Sequence, residues 1–146
     1  MSHSEAPFLW PVRVYYEDTD AAGVVYYANY LRYLERARTE WLRGLGVEQE
    51  RLFQETGFRF AVSRLEILYE QPARLDDALT VSVAVTEVRR ASMILTQEVR
   101  RNADDARLIF ATVRIACLDG EFKPARLADA LLGQPEPAIA LLTGST

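Results

Sequence analysis

Only one stretch of this chain has the period of a long helix. From about Ala28, residues Tyr30, Leu31, Leu34, Ala37, Trp41, Leu42 and Leu45 recur at steps of three and four, which puts them on one helix face. Arg32, Glu35, Arg36 and Glu40 fall mostly opposite, and the i,i+4 pair Arg36/Glu40 adds about 0.3 kcal/mol. Gly44 and Gly46 supply the stop signal, so the helix runs roughly four turns. Val47 to Phe53 predicts a second, short helix before Thr56-Gly57 turns the chain. From there almost to Gly120 the pattern is β. A sheet with an apolar face must bury it, and one long helix is available to do so. The expected architecture is α+β, an antiparallel sheet curled around that helix, in a single domain of 146 residues.

The strands follow from alternation. Pro11 to Tyr16 predicts a short strand that breaks into an acidic, glycine-containing segment. Phe58, Phe60 and Val62 mark one parity, then Leu65, Ile67 and Tyr69 the other. A period of two changes parity only through a bulge, bend or break, here at Ser63-Arg64. Leu79 to Val88, Met93 to Arg100 and Leu108 to Leu118 are three further runs, joined by turns at 89–91 and 102–105. The last is apolar on both parities and reads as a central strand covered on both faces. Leu127 to Leu132 predicts a short helix, and residues 1–9 and about 134–146 are expected to be flexible.

Several functions are disfavoured by composition. A net charge of −4 argues against generic nucleic-acid binding, so any phosphate site must be local. The single cysteine, Cys117, has no internal partner and suits a reducing, cytoplasmic setting. The only histidine, His3, lies outside every predicted element, which removes Ser-His-Asp and Cys-His catalysis and histidine metal sites. No metal or cofactor is expected. The first ten residues lack the pattern of a signal peptide, and no run is long enough for a transmembrane span. Peripheral attachment at the inner membrane stays open.

The chemistry concentrates in Val14 to Tyr30, VYYEDTDAAGVVYYANY, which holds three carboxylates, one glycine and five tyrosines. Two readings stand. The acidic residues solvate a loop and favour a helix N-terminus. Alternatively, one carboxylate beside free helix-start N–H groups acts as base or nucleophile on a carbonyl that those groups polarise.

The run Tyr15 to Arg38, YYEDTDAAGVVYYANYLRYLERAR, resembles the signature of hotdog-fold thioesterases of the 4-hydroxybenzoyl-CoA thioesterase type. More narrowly, with Pro72-Ala73-Arg74-Leu75-Asp76-Asp77, it is similar to the Tol-Pal-associated acyl-CoA thioesterase family. The resemblance implies a hotdog fold and acyl-CoA hydrolysis without a cofactor. It assigns the catalytic carboxylate to Asp20, as base or nucleophile. Asp18 would brace the loop, Glu17 would be peripheral, and Gly23 would permit the tight turn. The backbone amide of Tyr27 would polarise the carbonyl, and Tyr16 would support the site or simply pack in the core. The narrow family commonly has histidine where this chain has Tyr27, so any imidazole role is absent.

Candidates to hold the coenzyme A phosphates are Arg64, Arg74, Arg89, Arg90 and Ser92, each with a solvated-surface role as the plainer alternative. Ser63 would line the acyl path or satisfy the bulge backbone. The resemblance also implies a homo-oligomer, dimer or tetramer, in which Asp20 of one chain meets the Ser63-Arg64 region of the other. The competing reading is a non-hydrolytic scaffold that binds acyl chains or acyl carrier protein in phospholipid or envelope metabolism. Hotdog dehydratases are disfavoured, because they rely on a histidine.

Overall fold

The computed structural model describes residues 6–144. Five strands form one antiparallel sheet: β1 (Phe8–Arg13), β2 (Arg59–Tyr69), β3 (Ala78–Val88), β4 (Ser92–Arg101) and β5 (Arg107–Leu118). Their order across the sheet is β1-β3-β4-β5-β2, which leaves β1 and β2 as edges. The long helix, α1 (Tyr30–Gly44), packs on one face. Between them lies the core: Tyr33, Leu34 and Ala37 from the helix meet Val81, Val83, Leu95, Val99 and Val113 from the sheet, all buried. The expected α+β hotdog arrangement is the one observed.

α1 ends where the glycines placed its stop. The N–H of Val47 donates to the Leu42 carbonyl at 2.9 Å and that of Gly46 to the Arg43 carbonyl at 2.9 Å, a Schellman closure. Gly46 sits at φ 90°, and a Cβ built there would lie 2.5 Å from Cγ of Pro135. Both facts demand glycine. Gly46→Ala is expected to cost about 2 kcal/mol, read as a lower urea midpoint at unchanged m-value.

Two strand expectations need correction. The first strand is Phe8–Arg13 rather than Pro11 to Tyr16, and Tyr16–Asp18 form a 3-10 turn. The Asp18 carboxylate accepts the Tyr15 N–H at 2.9 Å, and the Thr19 hydroxyl donates to the Tyr16 carbonyl at 2.7 Å. Such local bonds compete with a ladder and win here. β5 is interior but not central, since β4 holds the middle of the sheet. Its odd-numbered residues from Ile109 to Cys117 are buried, while on the other face Thr112 is half-buried and Arg114 exposed.

The parity slip is a real bulge. Val62 faces Ile115 and Leu65 faces Val113, with the register shifting between Val62 and Arg64. The extra residue, Ser63, keeps both apolar side chains on the helix-facing side. The second helix, α2, covers Gln49–Thr56, and Leu127–Ala130 form a single turn, α3. Toward the two ends of the described residues, Phe8 pairs with Val83, and Glu136–Thr143 form α4, with Ala138 and Leu142 buried. His3 lies outside the described residues. Among them, no helix is long and apolar enough to cross a membrane.

Candidate active site

The acidic segment folds as a small hairpin ahead of α1. Thr19 bridges to Val25, the Asp20 N–H donates to the Val24 carbonyl at 2.9 Å, and the Gly23 N–H returns to the Asp20 carbonyl at 3.0 Å. Gly23 makes the reversal at φ 80°.

The two aspartates of the Asp-Thr-Asp unit differ in environment. Asp18 is engaged: one carboxylate oxygen takes the Tyr15 N–H, and its carbonyl accepts the Tyr26 N–H and the Asn29 Nδ2, both at 2.9 Å. Beside it the Tyr33 phenol is buried with no partner in hydrogen-bond geometry among the described residues. Burial, and then the Asp18 carboxylate, push that phenol above its ordinary value. Asp20 is exposed. Its Oδ1 accepts the Ala22 N–H at 2.9 Å, and its Oδ2 has no partner among the described residues.

A second segment holds this hairpin from outside. Val24 bridges to Arg74, and the Val25 N–H donates to the Ala73 carbonyl at 2.8 Å. Val14 exchanges two bonds with Asp76 and Asp77, both at 3.0 Å. The buried Ala73 N–H donates to the Tyr30 hydroxyl oxygen at 3.0 Å, which joins the clasp to the first residue of α1. The Pro72 to Asp77 stretch thus serves as scaffold to the loop. Tyr30→Phe strands that N–H and is expected to cost about 2 kcal/mol, measured by chemical denaturation.

The helix entrance is a 3-10 turn, Tyr27–Asn29, running directly into α1. The Tyr27 N–H has no acceptor among the described residues, whereas the Asn29 N–H is taken by Tyr26 at 2.8 Å. The Tyr27 carbonyl accepts the Tyr69 hydroxyl at 3.3 Å, and the two rings meet edge-on with centroids 6.2 Å apart. Tyr69, Asn29 and Tyr30 were not singled out from the sequence. Tyr69 enters the sequence reading only as a parity marker of β2, and its contact with Tyr27 crosses 42 residues.

The remaining candidates scatter. Tyr16 is 81% exposed, so it is not a core-facing strand residue. Arg64 pairs with Glu66 at 2.8 Å and Arg89 with Glu87 at 2.9 Å, while Arg74 and Arg90 have no ion pair among the described residues. Ser92 is buried, and the Ser63 hydroxyl donates to the Arg114 carbonyl at 3.3 Å. Ser63 lies six residues along β2 from Tyr69, roughly 20 Å, and Arg89 follows the far end of β3, roughly 35 Å of strand from its start. One chain therefore gathers Asp20, Gly23, Tyr27 and Arg74, and leaves Ser63, Arg64, Arg89, Arg90 and Ser92 elsewhere. No three His, Cys, Asp or Glu among the described residues converge to hold a metal ion.

Comparisons with known proteins identify the family and the fold. Residues 14–134 match the thioesterase-like superfamily. Acyl-CoA thioesterase YbgC of Haemophilus influenzae is 50% identical over 118 residues, 80% of this chain and 85% of that protein. Acyl-CoA thioester hydrolase YbgC of Escherichia coli O6:H1 is 43% identical over 128 residues, 87% of this chain and 94% of that one. The crystal structure of a probable thioesterase from Bartonella henselae has a TM-score of 0.79 at 34% identity, covering 84% of this chain and 99% of that chain. With a matching fold, a matching sequence over most of its length and a carboxylate presented ahead of the helix, the chain belongs to the thioesterase-like superfamily and is a hotdog-fold thioesterase.

Proposed function

We propose that the protein hydrolyses acyl-CoA thioesters to free acid and CoA, with Asp20 as the acting carboxylate and the Tyr27 N–H as the donor to the carbonyl oxygen. One observation carries the reading: a carboxylate with a free oxygen and a helix-entry N–H without an acceptor belong to one clasped loop. As base, Asp20 takes a proton from water while the water oxygen adds to the carbonyl carbon; the C–S bond then breaks and the thiolate leaves. As nucleophile, its oxygen adds to the carbonyl carbon instead, the C–S bond breaks to release the thiolate and leave a mixed anhydride, and water cleaves the anhydride at the aspartyl carbonyl. Single turnover in ¹⁸O-water separates the two, because only the anhydride route puts protein oxygen into the first product.

The edge strand β2 supports a shared site. It is 11 residues long, with Leu68 and Tyr69 exposed and no strand paired to its outer edge among the described residues. Antiparallel pairing with a second copy would continue the sheet and bring Asp20 of one subunit to the Ser63-Arg64 region of the other, in a dimer or a tetramer. Of the candidates, Arg74 and Arg90 have no ion pair among the described residues and are the first choice to meet CoA phosphates, with Arg64, Arg89 and Ser92 as secondary candidates. Tyr16 supports the loop. On the narrower resemblance we also propose a cytoplasmic enzyme that works with the Tol-Pal envelope system, near acyl carrier protein or phospholipid-synthesis enzymes, at or close to the inner membrane.

Thiol release from a panel of acyl-CoAs tests the activity. Cys117 does not disturb the readout, since burial pushes its thiol up to about 11. Turnover of at least one acyl-CoA is expected. Binding of acyl-CoA or acyl carrier protein with no turnover of any substrate favours the scaffold reading instead. Light scattering that shows a monomer sinks the shared site.

A further inference from the structure

A cavity of about 190 Å³ lies between α1 and the sheet, bordered by Phe60 and Val62 of β2, Ile115 of β5, and Met93 and Leu95 of β4. It has a direction. Val62, on the edge strand, is 48% exposed, whereas Met93 and Leu95 are fully buried. The space therefore opens at β2 and closes at β4. Neighbouring strands lie about 4.8 Å apart, so two spacings make it about 10 Å deep.

The helix side of this space carries a fixed cation. Arg38 Nη1 donates to the Gln97 Oε1 at 3.0 Å, and the Gln97 Nε2 donates to the Leu34 carbonyl at 3.1 Å. Gln97 is fully buried and uses both ends of its amide, so it holds the guanidinium in place. The other N–H groups of Arg38 have no protein partner among the described residues. Glu35 borders the same cavity and acts on Arg38 through its charge without an ion pair. A methyl terminus pressed against these donors would strip them of solvent and return no hydrogen bond.

We infer that this cavity receives the acyl group and limits it to short and medium chains, with Arg38, held by Gln97, as the polar stop. Two estimates of the limit converge. At about 1.5 Å per C–C bond, a zig-zag of about eight carbons spans the depth. At about 30 Å³ per water-sized group, the volume admits about six. The mouth at Val62 adjoins the bulged Ser63, which is where the shared site proposed above puts the other subunit's Asp20. The inference rests on that reading.

The test is the affinity of the wild-type oligomer for acyl-CoA thioethers of increasing chain length, which bind without being cleaved, by titration calorimetry. Each added methylene is expected to tighten binding by about fourfold up to about eight carbons and not beyond. Arg38→Met replaces the guanidinium with an apolar group and moves the break to longer chains. Val62→Trp narrows the mouth and moves it to shorter ones. Should Arg38→Met fail to fold, Val62→Trp, on the exposed edge strand, carries the test alone. An unbroken rise to sixteen carbons in the wild type, or a break that no folded variant moves, overturns the inference. Thiol release over the same chain lengths separates the two readings. Hydrolysis with no break defeats the length limit and spares the thioesterase; a break in binding with no hydrolysis does the reverse.

Discussion

Asp20→Asn lowers kcat for thioester hydrolysis by about 10³-fold, with KM little changed, if Asp20 acts as base or nucleophile. The substitution is a clean one. Asparagine keeps an oxygen to accept the Ala22 N–H, so the turn is retained while the proton acceptor is lost. Exposure of the side chain means that the melting temperature should hardly move. Asp18→Ala should behave in the opposite manner, because it removes the side-chain oxygen that accepts the Tyr15 N–H. It is expected to lower stability by about 1 kcal/mol and to reduce activity through loop order. An Asp20→Asn protein with full activity would remove the carboxylate from the mechanism.

The second large effect is expected from a backbone change. Tyr27→Pro deletes the N–H proposed to polarise the carbonyl, and the local structure tolerates it. Tyr26 has φ −60° and ψ 129°, an extended conformation that a following proline accepts. Tyr27 is the first residue of the turn, where proline is favoured, and its N–H has no acceptor to lose. The expected loss in kcat is about 10²-fold or more, comparable with deleting one oxyanion donor. Tyr27→Ala controls for loss of the ring contacts with Tyr26 and Tyr69, and Tyr27→Phe should be nearly silent. A large loss in the phenylalanine variant moves the role to the phenol, and a proline variant no slower than Tyr27→Ala removes the N–H from the mechanism.

Much of this architecture was legible because it is local. The three-and-four spacing of Tyr30 to Leu45 needs no distant information, and it predicted α1 within about two residues. The parity change at Ser63-Arg64 was readable for the same reason, since a bulge is the way a strand keeps Val62 and Leu65 on one face. The first strand was misplaced where side-chain bonds from Asp18 and Thr19 overrode alternation. Placing β5 at the centre failed because apolar residues on both parities do not reveal which strand sits mid-sheet.

By itself the sequence determined the period of each element, the resemblance to hotdog thioesterases and the loop that carries Asp20, because periodicity and motif are written in adjacent residues. Only the tertiary structure decided what the Pro72 to Asp77 stretch is for, since its bonds to Val14, Val24 and Tyr30 join parts of the chain that are far apart in sequence. It also set the two aspartates apart, with Asp18 half-buried beside the Tyr33 phenol of α1 and Asp20 exposed. Those contacts form when the sheet closes on α1, and a linear pattern does not encode which distant carbonyl an N–H will meet.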